Sequence, residues 1–356
     1  VMKATFLPLI LLIPLLNLGC SRTRIPDTLW IGHVAPLSGP GIEIGEETVQ
    51  TLGNLVRLSQ ETRGLIGDRP MAIRHVDTGP QRKGRSAAVR LLALHRVLAL
   101  LVGPGVEDVE DILALGRSEG VPVVVINRDV SAEGRSLAAF LLSSWKAPRV
   151  VMGRDSVTGM MPRAQAFRAV LRSREVMLRE VTLSGDVRAD ADSLREGGEE
   201  QVVLDVPSAE LTSLVEALAS GERRPLAIWW TGEGPLPTRL PLVPPVYAAR
   251  DYLDESSLTP EGKVIAKEFK ERYPLRWSDN TVRSLDALGI VERAMRDPSW
   301  ELGKKSLLSM MEDNKTYQGL TGDLRWIQGR WERPIFVLRY FKEGWKVEKR
   351  VSATGE

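Results

Sequence analysis

The chain has 356 residues, 43% of them hydrophobic, which is enough apolar side chain for about two domain-sized cores and excludes a disordered polymer. Its 48 Lys+Arg and 46 Asp+Glu leave a formal charge of +2, so no basic field exists to hold nucleic acid. One cysteine and three histidines exclude an internal disulfide and a thiolate zinc centre, and leave little for a His-rich metal site. No cofactor is expected.

Lys3, the apolar run Phe6 to Leu18 and the pair Gly19-Cys20 have the order of a secretory signal. The run is shorter than the ~20 residues of a spanning helix, and Pro8 and Pro14 interrupt it. Ending on Gly19-Cys20, it resembles the signal of a bacterial lipoprotein. That resemblance implies that Cys20 is lipidated and anchors the chain to the cell envelope, with residues 21–27 as a tether. An ordinary cleaved signal with an incidental cysteine is the alternative. No later segment approaches ~18 consecutive apolar residues.

From residue 29 the apolar pattern predicts strands and helices in alternation. Strands are expected at 29–34, 71–76, 97–102 and 121–126, with helices at 45–62, 86–96 and 108–118 between and after them. The rhythm resumes with strands at 150–152, 176–183, 201–206 and 226–230 and helices at 162–174 and 209–220. Residues 258–312 read as helical, and 326–327, 335–341 and 345–351 as strands. Only about twenty residues separate Val130 from Val150, so the second half is expected to lack a helix there. The fold class is α/β, in two doubly wound halves with right-handed crossovers.

The ordered set Ile31-Gly32-His33-Val34-Ala35-Pro36-Leu37-Ser38-Gly39-Pro40, Val102-Gly103-Pro104, Glu119-Gly120-Val121-Pro122-Val123, Thr231-Gly232-Glu233-Gly234 and Gly319-Leu320-Thr321-Gly322-Asp323 resembles the periplasmic solute-binding proteins of the branched-chain amino acid class. The resemblance covers roughly residues 29–350. It implies two Rossmann-like lobes, residues 28–130 plus 256–318 and 131–255 plus 319–356, joined by a three-strand hinge. A small polar ligand would lie between them, and an ABC permease in the membrane would be the partner.

By the same resemblance the ligand-facing positions are Ser38, Ile44, Glu107, Asn127, Asp129, Thr158 and Glu233; Trp229 and Trp230 end a strand, and Trp230 is the candidate stacking face for a cation. Glu107 falls where an anion would meet a helix N-terminus, which disfavours a free α-amino acid and favours a cation or neutral amide. Each acid also has a plainer reading. Glu107 suits a helix dipole, Asp129 a loop cap and Glu233 a solvated turn, while one ring of Trp229-Trp230 belongs in a core. A ligand-degenerate sensor or structural lipoprotein is the second reading. A Rossmann enzyme is a distant third, because Gly39-x-Gly41-x-x-x-Gly45 has the wrong spacing for a dinucleotide loop.

Overall fold

A computed structural model of the chain describes residues 27–351 except 146–148, 156–159, 199, 233, 274–276, 302 and 328–329. The signal, the tether up to Pro26, Cys20, Thr158 and Glu233 therefore lie outside the described residues.

The first lobe begins with β1 (Leu29–Ala35), α1 (Ile42–Arg63), β2 (Met71–Asp77) and α2 (Arg85–His95). β3 (Ala99–Val102), α3 (Val109–Glu119) and β4 (Val123–Val125) follow. The strands form one parallel sheet in the order β2-β1-β3-β4, a doubly wound arrangement. Both faces of β1, β3 and β4 are covered, so these strands read as near-continuous apolar runs, whereas the edge strand β2 carries Arg74, His75 and Asp77. Leu29 and Ile31 enter a core that also holds Leu52 of α1, while Val34 packs with Leu91 of α2 and Ile112 of α3. α1 starts three residues earlier than its periodicity predicts. Gly41, at φ 93°, turns the chain into it, and a Cβ on Gly45 would stand 1.9 Å from the Pro36 carbonyl oxygen. The helix can lie against the exit of β1 because that position is glycine.

The chain then crosses into the second lobe through α4 (Val130–Ser144), a full helix in the interval expected to lack one. The expectation of a trimmed lobe is therefore wrong. β5 (Val150–Asp155), α5 (Pro162–Ser173), β6 (Leu178–Leu183), α6 (Val187–Arg195) and β7 (Gln201–Asp205) come next. α7 (Ser208–Ser220), β8 (Ala227–Trp230) and β9 (Val246–Arg250) complete the parallel part. α6 and β9 were not predicted.

A second crossing returns the chain to α8 (Pro260–Arg272), α9 (Asp279–Met295), α10 (Pro298–Glu301) and α11 (Leu307–Asp313). α9 contributes Leu288, Val291 and Met295 to the core beneath β1. β10 (Thr316–Gly319), β11 (Gly322–Ile327) and β12 (Arg330–Glu332) form a small antiparallel sheet whose Leu324 is wholly buried in that same core. A third crossing leads to β13 (Ile335–Phe341) and β14 (Gly344–Val351), which extend the second sheet to the order β14-β13-β9-β8-β7-β5-β6. β13 and β14 pair antiparallel and the others parallel. Val150 and Met152 face Leu137 of α4 and Phe167 of α5, whereas Val151 faces Leu194 of α6 and Leu214 of α7. Among the described residues no helix is long and apolar enough to cross a membrane.

Candidate ligand cleft

Open parallel sheets place their loops, and hence their sites, at the carboxyl ends of the strands. In the first lobe those ends carry Ser38, Asp77, Gly103 to Asp108 and Asn127 to Asp129. The Ser38 hydroxyl donates to Asp77 Oδ2 at 2.5 Å, and the Leu37 and Gly79 N–H groups donate to Oδ1 at 2.8 and 2.9 Å. Desolvation opposes ionisation of Asp77, but these bonds outweigh it and hold its pKa below the ordinary value. The Ser38 proton is thus committed to Asp77, and its oxygen is left with acceptor capacity.

Glu107 is not at an anion site. It lies two residues before α3, and its half-exposed carboxylate pairs with Arg82, whose carbonyl also accepts the Glu107 N–H at 3.0 Å. The neighbouring Asp108 is the one that meets a helix start. Its carboxylate accepts the N–H groups of Gly84 at 2.6 Å and Arg85 at 3.0 Å, satisfying the first turn of α2, where Gly84 offers no side chain. Replacing Asp108 with Ala should cost about 1–2 kcal/mol in urea unfolding; an unchanged midpoint would show that water serves α2 equally well.

Asn127 Oδ1 accepts the Gly105 N–H at 3.2 Å, tying the loops after β3 and β4 together. Asp129 caps α4 by accepting the Ala132 N–H at 2.8 Å and lies 4.0 Å from Arg135. Ile44 is exposed on the first turn of α1. Asn127 and Asp129 share the wall of one cavity, which Ser38, Ile44 and Glu107 do not line.

In the second lobe the stacking role expected of Trp230 does not hold. Its ring is wholly buried in the core under α6 and α7, its indole N–H donates to the Val206 carbonyl at 2.9 Å, and the Arg250 guanidinium already sits 4.9 Å from its centre. Trp229 is equally buried on the opposite face of the sheet, stacked on Tyr247 with ring centres 4.6 Å apart. Both rings of the pair are core. The turn that follows rests on the exit of β7, since a Cβ on Gly232 would stand 1.7 Å from the Val206 carbonyl oxygen.

The charged groups that gather at the junction are ones the sequence did not single out. Glu133 on α4 is completely buried and accepts from Arg128 Nη2 at 2.7 Å and from Arg163 Nε at 2.9 Å. Arg163, on the first turn of α5, also donates to the Thr231 carbonyl at 3.1 Å and to that of Gly232. Arg250, the last residue of β9, donates to the carbonyls of Ala249 at 2.8 Å and Gly234 at 3.2 Å. Two further buried pairs fasten the other crossings to α9. Asp251 accepts both Arg283 Nε at 2.7 Å and Nη2 at 2.8 Å, and Arg333 Nε lies 3.4 Å from Asp286 Oδ2. Desolvation pushes the Asp251 carboxyl up, but the Arg283 guanidinium outweighs it and leaves the pKa well below the ordinary carboxylate range. At Asp286 desolvation wins over Arg333 and the Leu320 N–H, and the pKa is raised. The one hint in the sequence was a charge ending an apolar strand, as in Val246-Tyr247-Ala248-Ala249-Arg250.

A cavity of about 230 Å³ opens at this junction, walled by Asn127, Arg128, Asp129, Asp251, Trp331 and Arg333. A larger one of about 310 Å³ lies away from the strand ends, between α1, α8, α9 and β10. Among the described residues no group of three or more His, Cys, Asp and Glu is placed to hold a metal ion.

No family model and no curated protein sequence matches the chain. Its backbone is similar to solved structures. A branched-chain amino acid ABC transporter candidate from Rhodospirillum rubrum superposes with a TM-score of 0.69 at 18% identity, over 90% of this chain and 99% of the other. The branched-chain amino acid transporter substrate-binding protein of Streptococcus pneumoniae, in complex with isoleucine, gives 0.60 at 17% identity, over 91% and 99%. An R. palustris ABC-transporter solute-binding protein in complex with 4-hydroxybenzoate gives 0.63 at 14%, over 92% and 97%. The strand orders, the three crossings and these superpositions establish a two-lobed type I periplasmic-binding-protein fold.

Proposed function

We propose that this chain is the solute-binding component of an ABC transporter, taking a small polar molecule between its lobes and presenting the closed form to a membrane permease. The observation that carries this reading is the junction. The residue runs after β4 and β9, strand ends of different lobes, meet around one charged cluster and wall one cavity with the third crossing. A ligand held there touches both lobes, so its binding free energy biases their relative position. No catalytic step is part of the proposal. Cys20 as a lipid-bearing residue would hold the protein at the outer face of a cell membrane, where a permease is within reach. Residues 28–130 plus 256–332 would form one lobe and 131–255 plus 333–351 the other; the burial of Leu324 in the first core supports a third boundary later than the residue 318 expected from the sequence.

The ligand was expected to be amino-acid-like, an amide or a cation. Pairing of Glu107 with Arg82 and of Asp129 with the α4 N-terminus removes two of the three acids that favoured a cation. A second reading, a ligand-free sensor or structural protein on the same fold, is favoured by the internal commitments of Ser38, Asn127 and Asp129. Small-angle scattering with a solute library separates the two. A transport component should shrink measurably in radius of gyration with at least one amino acid, amide, amine or small carboxylate, whereas a constant radius throughout would favour the scaffold.

A further inference from the structure

Residues 78–106 hold Arg82, Lys83, Arg85, Arg90 and Arg96 and no Asp or Glu, in a chain whose charges otherwise nearly cancel. Arg82 is committed to Glu107. The other four are exposed, and among the described residues none of them forms an ion pair. Lys83 and Arg85 flank the N-terminus of α2, the end where a helix dipole disfavours cations, so the helix itself does not call for them.

Apolar side chains share this surface. Arg85, Val89 and Ala93 follow one another at four-residue spacing, and Ser86, Arg90 and Leu94 run beside them, all six exposed on one face of α2. Val89 is 44% and Leu94 72% exposed. A scattered exposed leucine is ordinary. Interleaved with these arginines, it matches a helix that lies on an anionic lipid surface, with apolar groups among the acyl chains and cations at the phosphates.

The place of this face in the fold favours a bilayer over an acidic protein. The Leu98 N–H donates to the Trp30 carbonyl at 2.8 Å, and the Leu29 N–H to the Pro70 carbonyl at 2.8 Å. The last turn of α2, with Leu94 and Arg96, is thus delivered to the end of the sheet where the chain enters β1. Only seven residue steps separate Asp27 from Cys20, at most about 25 Å of extended chain. A lipid on Cys20 would keep this end of the first lobe within reach of the headgroups.

We propose that the outer face of α2, through Arg85, Val89, Arg90, Leu94 and Arg96, docks on an anionic bilayer and sets how the anchored protein stands on its membrane. This rests on the lipid-bearing Cys20 of the transport reading and adds an orientation to it. The α2 side of the first sheet faces lipid, and the side covered by α1, α8 and α9 faces away.

The test uses the full chain, expressed with its own N-terminal segment and checked by mass for the lipid. It is mixed with nanodiscs of phosphatidylcholine, alone or blended with phosphatidylglycerol. A polarity-sensitive dye is carried on Leu94→Cys or, on α8, on Val264→Cys, which replaces a residue 67% exposed. The unsubstituted chain treated with the same dye gives the background from Cys20. With phosphatidylglycerol the dye at 94 should brighten severalfold and be quenched by nitroxide-bearing lipid, while the dye at 264 stays unchanged. Adding Arg85→Gln, Arg90→Gln and Arg96→Gln should return the signal to its level in phosphatidylcholine, and high salt should weaken it. Circular dichroism confirms that each variant is folded. An equal response at 94 and 264, no gain from phosphatidylglycerol, or an undiminished signal in the charge variant overturns the proposal. A larger change with dissolved polyglutamate than with phosphatidylglycerol overturns the bilayer in favour of an acidic protein. A lipidated chain whose dye at 94 stays dark loses the surface and keeps the anchor. A chain without lipid whose dye still enters the anionic discs loses the anchor and keeps the surface.

Discussion

Replacing Glu133 with Ala should destabilise the protein by about 3–5 kcal/mol, the cost of stranding a buried charge by removing its partner. Glu133 is fully buried, and Arg163, its neighbour on α5, is 1% exposed, so neither group can turn to water when the other is lost. Arg163 would keep its bonds to the carbonyls of Thr231 and Gly232, but these offer only partial charge. Arg128 would lose both of its hydrogen bonds at once. Against a typical total stability of about 5–15 kcal/mol, such a loss lowers the urea midpoint far outside experimental scatter. Glu133→Gln retains one acceptor oxygen and the shape, and should fall between Ala and the natural residue. A Glu133→Ala protein within about 1 kcal/mol of the natural one would mean that water enters and solvates the guanidinium groups.

Acid should weaken the fold at pH values above the range in which ordinary carboxylates are neutralised. His33 on β1 and His75 on β2 face each other with their Nδ1 atoms 2.8 Å apart, so one ring must donate and the other accept. Burial, and then the proximity of His75, lowers the His33 pKa from 6.5 to about 3, and burial lowers that of His75 to about 4. Both rings are neutral in the folded chain at neutral pH. As the pH falls below 6.5, the unfolded chain takes up protons that the folded one refuses. Stability therefore declines with falling pH until the folded pKa values are reached. Each unit in that window costs up to about 1.4 kcal/mol per ring, so the wholly buried His33 alone accounts for about 3 kcal/mol by pH 4. Urea midpoints measured from pH 7 to pH 4.5 should fall steadily. The slope should flatten in the His33→Leu/His75→Leu double variant, since ordinary carboxylates titrate lower. An identical slope in that variant would remove the pair from the account.

The sequence exposed the first lobe more fully than the second, for physical reasons. β1, β3 and β4 are almost wholly buried, and Pro36, Gly103 and Asn127 end their apolar runs, so pattern and structure coincide. α4 escaped notice because its sequence is full of small residues. Gly134 is there because a Cβ would stand 2.1 Å from the Arg163 carbonyl oxygen, where α4 packs against α5. The contact that stabilises the helix is the one that weakens its signal. α6 buries only Ala191 and Leu194 as apolar residues, beside a buried Asp190 and a half-buried Val187, and β9 follows the prolines at 235, 237, 241, 244 and 245. The same limit governs the site. Ser38, Asn127 and Asp129 do stand at strand ends, but their partners Asp77, Gly105 and Ala132 are set by how loops meet. Arg128, Arg163 and Arg250 lie far apart along a chain rich in arginine, and only folding brings them together.

Arg283 and Asp286 sit three residues apart on α9, less than one helical turn, and each holds a segment passing between the lobes, at Asp251 and Arg333. A ligand bound at millimolar affinity supplies only about 4 kcal/mol, no more than tearing Asp251 from Arg283 would cost. Closure driven by a weak solute must therefore leave that grip intact. α9 is thus a common clasp for the second and third crossings, less than one turn of a single helix holding both.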